Sequence, residues 1–110
     1  MNDDSAGQRM VACALTTPEL RAREQALQRE VFAGLLAVRE LADGYTLQFP
    51  GDAAWLDTLA EFIRFERECC PFFTFDLHLH CAPEHGPLWL SVRGPDGAKA
   101  FVAALLGDRA

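Results

Sequence analysis

The chain reads as an α+β domain with the element order α-β-β-α-β-β-α, a four-stranded antiparallel sheet carrying its helices on one face. Three observations lead there. Apolar runs on either side of Ala42-Asp43-Gly44 form a hairpin signal, because Asp-Gly between such runs favours a tight reversal. Phe73, Phe75, Leu77 and Leu79 alternate with polar residues, and Leu88, Leu90 and Val92 do the same after a loop. Apolar stripes of helical period precede, separate and follow these two hairpins.

The first helix starts at Thr17-Pro18-Glu19, where Thr17 caps, Pro18 takes the first helical position and Glu19 favours the dipole. Leu20, Leu27 and Val31 make its stripe, and Gly34 breaks the pattern. The first hairpin pairs Leu35 to Leu41 with Tyr45 to Phe49, and Pro50 ends the second strand. Asp52 caps a second helix from Ala53 to about Glu68, with Leu56, Leu59, Ala60 and Ile63 as its stripe and Trp55, Phe62 and Phe65 widening it. Pro71 stops that helix just after Cys69-Cys70. The third strand covers Phe73 to Leu79, with Cys81 in the apolar register, and the fourth follows the loop Ala82 to Gly86. Gly94-Pro95-Asp96 opens a last helix, with Phe101, Val102 and Leu105 inward and Gly107 as its cap. The two hairpin-helix halves suggest a ββα duplication in architecture, although they share little sequence.

At 110 residues there is room for one core, so residues 10–110 are expected to form a single domain behind a polar tail at residues 1–9. Half the residues are apolar and 24% are charged, the balance of a globular chain that folds without staples. The net charge of −6 and the scattered arginines argue against nucleic acid or an anionic membrane as partner. Asp3 and Asp4 near the N-terminus do not suit a secretory leader, and no apolar run approaches the ~20 residues that span a bilayer. The expected compartment is the cytoplasm, where thiols stay reduced.

Four cysteines in such a chain point to metal, to catalysis or to packing rather than to a disulfide framework. Adjacent cysteines strain the peptide between them if they bond to each other, so Cys69 and Cys70 look outward for a partner. Soft ions such as Hg(II), Cu(I) and Zn(II) are natural partners of thiolates. The negative end of the helix dipole, with Glu66 and Glu68 nearby, disfavours a nucleophilic thiolate at this place, whereas a bound cation reverses that logic. Glu66 stands one turn before the pair and shares its helical face. Cys13, in an apolar stretch before the first helix, is a candidate third sulfur. His78 and His80 lie together on the polar face of a strand, an arrangement that can hold a metal but is more often just solvated. Cys81 faces the other way, and His85 carries no signal. Packing offers a plainer account of Cys69 and Cys70, as buried apolar side chains against Phe72 and Phe73. Glycine-rich phosphate or dinucleotide loops, His-Glu-x-x-His and Gly-x-Ser-x-Gly are all missing, so hydride, phosphoryl and serine acyl transfer lack support.

Taken together, Cys13-x-Leu15-Thr16, Asp43-Gly44-Tyr45, Glu66-Arg67-x-Cys69-Cys70-Pro71-Phe72, Gly86-Pro87-Leu88-Trp89-Leu90 and Gly94-Pro95-Asp96-Gly97-x-Lys99-x-Phe101 resemble a small, uncharacterised bacterial protein family loosely associated with heavy-metal resistance. The resemblance runs from Cys13 to Phe101, and Glu-Arg-x-Cys-Cys-Pro-Phe is its most specific segment. It implies a thiol-rich site of Cys13, Cys69 and Cys70 with Glu66, while His78, His80 and Cys81 fall outside its pattern. The leading expectation is thus a cytoplasmic protein that holds Hg, Cu(I) or Zn as a buffer or accessory of a resistance system, with no organic cofactor. The alternatives are a redox or thiol-transfer enzyme using Cys69 and Cys70 with Glu66, and a non-catalytic interaction domain with core cysteines.

Overall fold

The computed structural model describes residues 16–80 and 86–109. The expected tail at residues 1–9, together with Cys13, Cys81 and His85, lies outside the described residues. Within them the order is α1 (Thr17–Glu30), a 3-10 turn (Phe32–Gly34), β1 (Ala37–Leu41), β2 (Gly44–Phe49), α2 (Ala53–Cys69), β3 (Thr74–His78), β4 (Leu88–Arg93) and α3 (Ala98–Leu106), closed by a second 3-10 turn (Gly107–Arg109). This is the expected α+β order around a four-stranded antiparallel sheet.

Local chemistry explains most boundaries. The cap of α1 is Thr16 rather than Thr17. Thr16 Oγ1 accepts from the Glu19 backbone N–H at 3.4 Å, and Glu19 Oε1 accepts from the Thr16 N–H at 2.9 Å, a reciprocal capping box. Asp52 caps α2 as expected, its Oδ1 accepting from Trp55 N–H at 2.9 Å. Gly107 follows α3 at a φ of 61°, a backbone shape that side chains disfavour.

The sheet order is β1-β2-β4-β3, so each hairpin places its second strand at the centre, and β2 and β4 pair antiparallel across the join. Tyr45, Leu47 and Phe49 of β2 and Leu88, Leu90 and Val92 of β4 share the buried face. Gly44 plays a different part from the one its Asp-Gly context implies. The reversal is made by Ala42-Asp43, and Gly44 is already paired in β2, opposite Leu41 and Arg93. A Cβ there would stand 1.9 Å from the Val92 carbonyl oxygen, so glycine is required by the approach of β4.

The helices cover the face that carries these apolar residues. α2 docks through Trp55, stacked on Phe49 with centroids 5.4 Å apart, and through Phe62, edge-on to Phe75 at 6.0 Å. Leu27, Phe32, Leu59, Val102, Leu105 and Leu106 complete the main core from the helical side. The third strand is shorter than its alternation implied: it stops at His78, and Leu79 is exposed. Among the described residues, no helix is long and apolar enough to cross a membrane.

Candidate metal centre

The C-terminal turn of α2 leads into a second, smaller apolar cluster beside the main core. Cys69, Cys70, Phe72 and Ala98 are buried there, with Phe73 and Phe101 packed against them. The cluster forms because α2, stopped by Pro71, meets the start of α3. Phe72 packs edge-on against Phe101 with centroids 5.6 Å apart, and a Cβ at Gly94 would come within 2.9 Å of the Phe72 carbonyl oxygen. The Cys70 N–H closes the last turn on the Glu66 carbonyl at 2.7 Å, so the chain leaves the helix with both cysteines turned into the protein.

Glu66 is the residue that local reading misjudges. A glutamate near the end of an amphipathic helix is usually solvated, yet this one is 3% exposed. Its position is set from α1, where Arg23 Nε donates to Glu66 Oε2 at 2.9 Å. The Arg23 guanidinium also lies over the Phe65 ring, 4.1 Å from its centroid. Phe65 was expected to widen the buried stripe of α2; it is 42% exposed and serves as the platform for that guanidinium. Nothing local in the sequence distinguishes Arg23 from the other arginines of the chain.

Glu66, Cys69 and Cys70 converge. One carboxylate oxygen and the two sulfurs lie within 4.8 Å of one another, and all three residues are buried. The Sγ atoms of Cys69 and Cys70 are 3.7 Å apart, too far for a bond between them. Cys70 is a free thiol. Cys69 is disulfide-bonded. The site therefore presents both sulfurs as metal donors only once that bond is reduced.

Burial pushes the Cys70 thiol up to about 12, helped by the negative charge of Glu66 and by a hydrogen bond with its carboxylate, while the Arg23 charge pulls the other way. The thiol is a weak nucleophile under these conditions. A cation among the three donors would displace its proton and reverse the balance.

Of the other candidate ligands, the two histidines are not part of this cluster. Cys13 lies outside the described residues. His78 and His80 are exposed, their rings in edge contact at 5.2 Å, away from the three-donor group. No known protein family, curated protein or solved structure matches the chain.

Proposed function

We propose that the reduced protein binds a soft metal ion through Cys69, Cys70 and Glu66, as a cytoplasmic buffer, carrier or accessory of a metal-resistance system. The observation that carries this reading is the convergence of three donors within 4.8 Å in a buried place. Packing alone accounts for two buried sulfurs, since cysteine is at home in a core. The packing of two sulfurs does not by itself call for a carboxylate among them, and here an arginine from another helix holds one there. Thiolates select the soft end of the divalent series and the soft monovalent ions, which covers Hg, Cu(I) and Zn. The test is a titration of dithiol-reduced protein with each ion, against a Cys69→Ser, Cys70→Ser double variant. Stoichiometric binding by the first and loss in the second are expected, and equal weak binding by both would refute the proposal.

A second reading has one observation in its favour. A disulfide-bonded Cys69 with a free thiol 3.7 Å from its sulfur is an arrangement for thiol–disulfide exchange. It ranks behind metal binding because a thiol pushed up to about 12 supplies little thiolate. A thiol-exchange assay with a small disulfide at pH 7.5 separates the two readings. Turnover that is lost on Cys70→Ser would move exchange to first place.

A further inference from the structure

We infer that Arg23 is the positioning residue which makes this a three-donor site for a divalent ion of tetrahedral habit, the Zn(II) and Cd(II) class, by fixing the Glu66 carboxylate beside the two sulfurs. The inference rests on the metal-binding reading above and narrows it.

Two geometric facts support it. Sulfurs 3.7 Å apart, each about 2.3 Å from one ion, subtend an angle of about 107° at that ion, close to the tetrahedral value. A linear two-thiolate ion with similar bonds needs its sulfurs about 4.6 Å apart, so the pair is spaced for a bent chelate. A bent dithiolate leaves room for further ligands, and Glu66 is the donor the fold supplies. Its Oε2 is engaged by Arg23 Nε at 2.9 Å, which limits the rotation of the carboxylate beside the sulfurs.

Charge points the same way. Two thiolates and a carboxylate carry three negative charges, and the Arg23 guanidinium returns one. A divalent ion brings the buried group to neutrality with both thiols deprotonated. A monovalent ion reaches neutrality with only one thiol deprotonated, and so has less use for the full donor set. The Arg23–Phe65 stack holds the guanidinium in place from the outer side, where Arg23 remains partly exposed.

The experiment compares Zn(II), Cd(II) and Ag(I) affinities of reduced wild type, Arg23→Met, Glu66→Gln and the double variant by competition titration. The Cd(II)–thiolate absorption is followed in parallel. Arg23→Met should weaken Zn(II) and Cd(II) on the order of tenfold or more, the usual cost of losing a residue that orients a ligand. Ag(I) affinity and the Cd(II)–thiolate absorption at saturation should stay as in wild type. Because Arg23 acts through Glu66, the double variant should lose no more than Glu66→Gln alone. Arg23→Lys, which keeps the charge but not the Nε–H donor, gives the same reading if Arg23→Met does not fold. Equal weakening of Ag(I), unchanged Zn(II) affinity, or losses that multiply in the double variant would each overturn the role of Arg23. Failure of reduced wild type to bind any of the three ions would instead remove the metal-binding reading itself.

Discussion

Ion binding at Cys69 and Cys70 should be strongly coupled to pH, and the size of the coupling can be worked from the Cys70 environment. Its thiol is pushed up to about 12 by burial first and by Glu66 second. Across pH 6 to 8 it is therefore protonated, and every ion that binds its sulfur must expel that proton. Each unit of pH then multiplies the apparent affinity by about ten through Cys70 alone, so the rise from pH 6 to 8 is at least about a hundredfold. The assay is a Zn(II) competition titration of reduced protein against a chromophoric chelator of known proton dependence, in weakly coordinating buffers. Cys70→Ser should reduce the slope by about one. A wild-type affinity that is flat with pH, or a slope unchanged by the substitution, would refute the assignment of Cys70 as a ligand. The same thiol links the metal-free fold to pH in the alkaline range. The folded chain keeps the proton up to about 12, whereas the unfolded chain gives it up near the ordinary 9.0. Its contribution is thus complete below pH 9 and declines by roughly 1.4 kcal/mol per unit from there towards 12. Urea melts at pH 8 and 10.5 should show that decline in wild type and lose it in Cys70→Ala.

Further outcomes follow from the fold. Leu90, fully buried at the centre of β4, should cost about 3–4 kcal/mol when changed to Ala, read as a lower urea midpoint at unchanged slope. Gly44→Ala should destabilise by about 3 kcal/mol, because the new Cβ meets the Val92 carbonyl and a backbone cannot move aside as a side chain does; a shift under 0.5 kcal/mol in the same melts, the ~0.5 kcal/mol scale of an innocuous surface change, would disprove the contact. Protein treated with a strong chelator should retain a single cooperative thermal transition, since the main core is built from apolar side chains away from the cysteine cluster; unfolding on chelation would mean that metal is structural.

How far the chain can be read without its fold depends on the range of the interactions involved. Alternation in Tyr45-Leu47-Phe49 and Leu88-Leu90-Val92 set out the two central strands, because a half-buried sheet requires that period and neighbouring residues alone reveal it. Asp52 and Pro71 bounded α2 for the same reason: a cap and a stop act within one turn. Glu66, Cys69 and Cys70 were placed on one helical face by spacing, and their atoms do converge. What spacing leaves open is burial and partnership. Gly44 owes its lack of a side chain to Val92, a strand away, rather than to the turn beside it. Spacing alone describes a glutamate that could as well be solvated, and it is Arg23, 43 positions earlier, that reaches Glu66 from α1. Cys69 and Cys70 lie in an apolar cluster because α3 brings Ala98 and Phe101 against Phe72 and Phe73. Periodicity and caps are written into adjacent residues. The desolvation and pairing that gather Glu66, Cys69 and Cys70 into one buried cluster arise only where α1, α2 and α3 close on one another, and that closure is a property of the whole chain.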